Sequence, residues 1–350
     1  MKINRYVFIL ISLLLVVMFA LPSASLADKL PKKLHWDATH WSGPSVFSHT
    51  AADFAKDMAA KTDGRWEIQI HFGGVLAKSK ETVDGIKGGL FEFTSTVPVY
   101  HPGKTPLTTV IDLPFFGPST MKQRGQWMKE IAKHPAIVKE WKQWDMRLLF
   151  PVVFPSYNMM SKVPITKVED FKGLRVRIDP SSGKPLEPFG AIITMLPGPD
   201  IYTALDRRML DAVSWIWTYT FGKYKLYEKC KYAILGLDQK TVGAYWGVSI
   251  SAWDKLPDEW KKLAQGWADQ KATERFIYHV AEADKKYIPI FEKAGVKVSQ
   301  FPAAERAKLV EKSEASYQAW IKSMEDRGLP GKEVFEYAKA KRDEIMATVK

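Results

Sequence analysis

Apolar residues recur along this chain in two spacings, every second position and every third or fourth, and the two alternate through most of its length. Leu34, Trp36 and Ala38 alternate as a strand, and the loop Thr39-His40-Trp41-Ser42-Gly43-Pro44 leads to a helix whose apolar face is Phe47, Ala51, Phe54 and Met58. Trp66, Ile68, Ile70 and Phe72 make a second strand after the Asp63-Gly64 turn. A helix over 80–87 stops at Gly88-Gly89, and a strand over 91–97 follows. The pattern then predicts a helix at 121–134 and a strand at 148–154. A second unit has strands at 157–162, 173–179, 191–196 and 212–217, with helices at 182–189 and 201–207. Pro185 and Pro188 hold the first of these helices to a turn or two.

Alternation of this kind builds a sheet covered by helices, with ligands at the carboxyl ends of the strands. It places the Trp41 loop beside the loop Val97-Pro98-Val99-Tyr100-His101. A strand over 242–251 is long enough to return to the first unit, so the chain crosses twice between two α/β lobes. Such a hinge closes on a ligand held between them. The expected division is 28–153 plus 243–282 for lobe 1, and 154–242 plus 283–350 for lobe 2 and the C-terminal helices. From Pro257 an amphipathic pattern through Trp260, Leu263, Trp267, Ala272, Phe276, Val280 and Ala283 runs on to Lys293. As one helix it would be roughly 50 Å long and lean on both lobes. Pro289 should bend its far end. A strand at 296–299 and helices at 303–326 and 332–349 follow.

Lys2 and Arg5 precede an apolar run over 6–21, and Ser25-Leu26-Ala27 offers the small residues of a cleavage site. Residues 1–27 therefore read as a signal peptide, which makes the mature protein an exported one beginning at Asp28. The single cysteine, Cys230, cannot form an intrachain disulfide, so the core alone must hold the fold. The formal charge is +12 for the whole chain and 12 − 2 = +10 without Lys2 and Arg5, and a basic surface outside the cytoplasm points to small anions as partners. The lysines are scattered without the basic and aromatic clusters of a nucleic-acid groove, so no nucleic-acid partner is expected. No His-Glu-x-x-His, nucleophile elbow or phosphate-cradling loop occurs, so neither a metal, a cofactor nor an enzyme activity is expected.

The candidate chemistry lies in Gly173-Leu174-Arg175-Val176-Arg177-Ile178-Asp179-Pro180. Leu174, Val176 and Ile178 form the apolar row of a strand, and Arg175 and Arg177 share its other face. Pro180 ends the strand, and Ser181, Ser182 and Gly183 begin a helix. An arginine beside a helix start suits a carboxylate, because the guanidinium offers paired donors and free backbone N–H groups add positive potential. The plainer alternative is two arginines on a solvated face.

Several further stretches complete a resemblance. They are Phe54-Ala55-Lys56-Asp57-Met58, Asp112-Leu113-Pro114-Phe115-Phe116, Val163-Pro164-Ile165, Phe171 through Arg177, Tyr202-Thr203-Ala204-Leu205, Leu210-Asp211-Ala212-Val213 and Trp253-Asp254-Lys255-Leu256-Pro257. In this order and spacing the chain resembles the DctP-type solute-binding proteins of TRAP (tripartite ATP-independent periplasmic) transporters. The resemblance implies a type II periplasmic binding fold, a periplasmic location, an organic-anion ligand and delivery to TRAP membrane permease subunits by a monomer. It implies further that Arg177 grips the solute carboxylate.

Two departures narrow the expectation. Tyr157 stands where some members carry a second arginine, and a tyrosine cannot neutralise an acid. Members that hold 2-oxo acids through calcium tend to have Glu-Trp after the Asp-Ala pair, whereas this chain has Ser214-Trp215, so no calcium is expected. Trp215 aligns with a ligand contact, Tyr100 faces it from the other lobe, and Trp217, Trp41 and His40 complete the candidate site. Core packing is the competing reading for these aromatic side chains. They favour an aromatic or hydrophobic carboxylate. A secreted hydrolase-like enzyme on the same scaffold, or a ligand-binding partner of a sensor, is the alternative.

Overall fold

The computed structural model describes residues 31–196, 198–240 and 243–348. The signal peptide expected at 1–27 lies outside them. The strands are β1 (Leu34–Thr39), β2 (Trp66–His71), β3 (Phe93–Thr96), β4 (Met146–Val153), β5 (Tyr157–Ser161), β6 (Arg175–Arg177), β7 (Ile192–Thr194), β8 (Ala212–Ile216), β9 (Tyr232–Leu235), β10 (Gly243–Ser249) and β11 (Lys297–Gln300). They form two sheets, ordered β2-β1-β3-β10-β4 and β11-β9-β5-β8-β6-β7. Each is covered by helices, so the fold is α/β and bilobal. In the first sheet β1 runs parallel to β2 and β3, and β10 is antiparallel to β3 and β4. Since β10 follows β9 in the chain yet lies in the first sheet, its entry is the second crossing between lobes.

Lobe 1 is built around large aromatic rings. Trp66 lies parallel to Trp260 at 5.7 Å, and Phe54 meets Trp267 at 5.2 Å. The Trp267 indole N–H donates to Asp57 at 2.8 Å, so this buried ring brings no unsatisfied donor with it.

Helix Ala272–Lys293 touches both lobes. Near its start Phe276 packs on Phe154 at 5.4 Å and His279 reaches Asp53 at 2.7 Å. Near its end Phe291 meets Trp217 of lobe 2 at 5.7 Å. The single long helix expected from Pro257 is two, Asp258–Gln270 and Ala272–Lys293. They part at Lys271, where φ opens to −111°. The Lys271 amide still bonds the Trp267 carbonyl at 2.8 Å, so the apolar pattern passes the break unaltered. Pro289 lies within the second helix, which continues to Lys293.

The helix expected over 303–326 is likewise two, Ala303–Glu311 and Glu314–Glu325. Between them the Ser313 hydroxyl donates back to the Leu309 carbonyl, competing with the helical ladder. Helix Pro135–Lys142 and β9 were not anticipated from the pattern. β9 is four apolar residues, Tyr232-Ala233-Ile234-Leu235, between two other strands, and with its middle buried on both faces it shows no alternation.

The last two helices pack on lobe 1. The Trp127 indole donates to the Ala338 carbonyl at 2.7 Å, Phe116 stacks on Phe335 at 4.9 Å, and the Tyr317 hydroxyl donates to the Pro114 carbonyl at 2.7 Å. Among the described residues no helix is long and apolar enough to cross a membrane.

Candidate functional site

The two arginines of β6 have separate fates. Arg175 forms a bidentate pair with Asp211, Nε to Oδ2 and Nη2 to Oδ1 both at 2.8 Å, and so ties β6 to the turn before β8. Arg177, at the strand's carboxyl end, is 4% exposed and has no ion pair among the described residues. Its Nε and Nη2 both donate to the Leu196 carbonyl, at 3.1 and 3.0 Å. That single oxygen leaves the Nη1 edge free. The guanidinium carbon lies 4.4 Å from the centre of the Trp215 ring, a cation–π arrangement. Burial lowers the Arg177 pKa, offset by Tyr157, Asp179, Tyr100 and Tyr224. A guanidinium nevertheless stays charged at any growth pH.

The surrounding chain fixes this pair of side chains. Trp215 stacks on Tyr224 at 5.2 Å with 18° between the planes. Gly198 lies against both rings: a Cβ there would come within 2.8 Å of each. Leu196 thus supplies the oxygen that orients Arg177, and Gly198 lies against the rings of Trp215 and Tyr224. Asp179, two residues past Arg177, caps helix Pro180–Gly183 by accepting from the Ser182 amide at 3.1 Å.

The other expected residues divide. Tyr157 is buried in β5, and desolvation together with the Asp179 charge pushes its pKa well up, so it stays a neutral phenol. Tyr100 is 38% exposed at the lip of lobe 1, and its ring meets Trp41 at 5.9 Å, which brings together the two loops that the strand order places side by side. Protein atoms around the Tyr100 hydroxyl raise its pKa, while the charges of Arg177 and Lys240 pull it down. Arg177, Trp215, Tyr157 and Tyr100 therefore belong to one interlobe cluster.

His40 and Trp217 stand apart from that cluster. His40 is fully buried behind Trp41, sharing hydrogen bonds with Ser95 at 2.7 Å and Ser42 at 3.0 Å. Burial, aided by Lys223, drops its pKa to about 3. Trp217 turns to Phe221 and Phe291, each at 5.7 Å.

Sequence reasoning missed the second cation of the site. Lys240, on the second crossover and 3% exposed, holds its ammonium 3.2 Å from Asp179 of lobe 2 and 3.9 Å from Asp112 of lobe 1. Both acids raise its pKa against the burial that lowers it. Asp112 also accepts from the Gly243 amide at 2.9 Å, while its other oxygen is buried without a partner. Burial raises the Asp112 pKa to about 6. The only signal in the sequence was the Asp112-Leu113-Pro114 motif; nothing marks Lys240 among so many lysines. Beside Trp215, the Ser214 hydroxyl donates to the Gln239 side-chain carbonyl at 2.6 Å. Two neutral groups thus meet there, and among the described residues no cluster of three metal-ligating side chains occurs.

A cavity of about 770 Å³ lies elsewhere, along β4 at the outer edge of lobe 1, lined by residues such as Trp141, Tyr245 and Trp253. The residues of the interlobe cluster, Arg177 among them, are absent from it.

Two α/β lobes joined by two crossovers, with a buried arginine between them, define the class of bilobal periplasmic binding folds. The chain belongs to the bacterial extracellular solute-binding protein family 7, the DctP family, whose profile matches residues 38–323. It is 29% identical over 216 residues to the monocarboxylate 2-oxoacid-binding periplasmic protein of Nostoc sp., a match covering 61% of this chain and 59% of that relative's length. Among solved structures, a TRAP periplasmic solute-binding protein from Desulfovibrio salexigens superposes with a TM-score of 0.79 at 20% identity, covering 91% of this chain and 98% of the other. A TRAP solute-binding protein from Rhodoferax ferrireducens, solved with copurified benzoate, gives 0.77 at 20% identity and covers 91% and 100%.

Proposed function

We propose that this protein is a periplasmic binding protein that captures an organic acid between its lobes and passes it to TRAP permease subunits without transforming it. The observation that carries the reading is Arg177, a buried guanidinium with no ion pair among the described residues, open on one edge and set over an indole. An uncompensated buried cation costs free energy that an incoming carboxylate recovers. Lys240 is already flanked by two acids, so one free positive charge favours one carboxylate. The Nostoc relative is named for monocarboxylate 2-oxoacids, and benzoate copurified with the R. ferrireducens protein; both ligands carry a single acid group. Trp215, Tyr224 and Tyr100 add aromatic surface beside the guanidinium and favour an aromatic or hydrophobic body on the acid.

Calorimetry with aromatic monoacids tests this. Arg177→Ala should weaken binding by roughly 2 to 5 kcal/mol, and Arg177→Lys should recover only part of the loss, because an ammonium lacks the fork. Circular dichroism should show both variants folded. Unchanged affinity in Arg177→Ala removes the assignment. Loss of the acid over time with purified protein would favour a hydrolytic enzyme instead.

A further inference from the structure

Behind the solute cleft, where the two crossovers meet, lies a second cavity of about 230 Å³. Its polar lining is Ser119, Arg124, Ser156, Asp238, Lys240 and Arg306. Arg124 is 3% exposed. Its Nε donates to the Pro118 carbonyl at 2.8 Å, Nη1 to Phe154 at 2.9 Å and Nη2 to Ser119 at 2.8 Å, with a further bond to the Ser156 hydroxyl. Every one of these acceptors is neutral. Arg306 donates Nε to the Leu237 carbonyl at 3.0 Å and lies 5.1 Å over the Phe115 ring. Its Nη groups have no hydrogen-bond partner among the described residues, and neither arginine has an ion pair there.

Lys240, the third cation, already has Asp179 and Asp112 beside it. Asp238 is the single acid lining the cavity, and it is exposed. Two guanidinium groups, Arg124 buried and Arg306 half-buried, therefore face one carboxylate in a polar space large enough for an ion, and a buried cation is stable when paired. Burial takes the Arg124 pKa to about 10, with Asp238 offsetting this only in part, so Arg124 remains charged at neutral pH.

We propose that this hinge cavity binds a small tetrahedral oxyanion of the phosphate or sulfate type. Its oxygens would accept from the free Nη groups of Arg306, from the remaining Nη1 hydrogen of Arg124 and from the Ser156 hydroxyl, which already accepts from Arg124. Arg124 lies on helix Met121–Lys133 of lobe 1, and Arg306 on helix Ala303–Glu311, whose Glu305 bonds the Val168 amide of lobe 2. An ion between them ties the lobes together at the hinge, independently of which solute fills the cleft.

Thermal melts in sodium phosphate and sodium sulfate, against sodium chloride at equal ionic strength, test the site. A rise of several degrees is expected in the unaltered protein and in Arg177→Ala, and no rise in Arg306→Gln. An equal rise in Arg306→Gln, or none in the unaltered protein, overturns the proposal. A rise lost in Arg177→Ala overturns it too, because the anion would then be sitting in the solute cleft. Crystals soaked in selenate supply a readout free of stability effects: an anomalous peak between Arg124 and Arg306 is expected, and its absence counts against the site.

Discussion

Lys240 and Asp179 meet at 3.2 Å beside the solute cleft, the lysine from the crossover between lobes and the aspartate from the strand end that carries Arg177. In the proposed reading, the pair keeps a second cation from the solute. Replacing Asp179 by Asn preserves the helix cap, since both side chains accept from the Ser182 amide, but it releases the ammonium. Lys240 then retains only Asp112, at 3.9 Å. Asp179→Asn should therefore raise affinity for short dicarboxylates by about tenfold, the scale of one charge-assisted hydrogen bond, and change aromatic monoacid affinity far less. Calorimetry with succinate and benzoate reads the difference. A parallel change for both acids would show that Lys240 does not face the solute.

In the proposed reading, Trp215 is the residue that favours a ring in the cleft. The Arg177 guanidinium and the Tyr224 ring both lie against the indole, which stays half-buried, so it seats the cation and still offers apolar surface. Trp215→Ala should cost aromatic acids about 1 to 2 kcal/mol more than it costs acetate-sized acids. Trp215→Phe should keep most of the aromatic preference. Equal losses across the two ligand classes would reduce the indole to a support for Arg177.

Much of this arrangement was legible in the chain. The period-two row around Arg177 and the glycine and proline punctuation gave the strand and its turn, and the alternating elements gave two lobes. What decided between Arg175 and Arg177 was not local. Asp211 lies 36 residues from Arg175 and captures its guanidinium, leaving Arg177 free, and no spacing rule announces such a pairing. Lys240 was hidden for the same reason, since its two acids come from opposite lobes. His40 lies in the Trp41 loop, but the packing against Phe47 and Trp246 that buries it cannot be seen in a six-residue loop. Breaks at Lys271 and Ser313 left the apolar period intact, so periodicity alone joined helices that the backbone separates.

The burial of His40 has a pH consequence. Above its ordinary pKa of 6.5 the ring is neutral in both folded and unfolded chains and contributes no pH dependence. As pH falls below that value the unfolded chain takes up a proton that the folded one resists until about 3, so stability is lost on acidification. The slope is about 1.4 kcal/mol per pH unit for one group in that window. Urea melts between pH 4 and 7 should show His40→Gln with a shallower acid loss than the unaltered protein. The glutamine amide retains the capacity to bond Ser95 and Ser42, which limits other damage. Identical slopes in the two proteins would place the acid sensitivity elsewhere.

Gly222 sets the contact between lobe 2 and the helix that spans both lobes. A Cβ at this position would fall 2.1 Å from the Tyr287 ring and 2.4 Å from its Cγ, so the whole Tyr287 side chain has to leave its place or its helix has to move. Gly222→Ala therefore strains the seam between helix Ala272–Lys293 and helix Tyr219–Lys223, which leads into the Tyr224 ring that stacks on Trp215. The strain of such overpacking is typically about 1 to 3 kcal/mol. Urea unfolding should show that loss, and the added change Tyr287→Ala should recover part of it, since the two positions are in direct contact. Solute affinity should fall with the first change and recover with the second. A Gly222→Ala protein as stable as the original would mean that the spanning helix is free to shift against lobe 2.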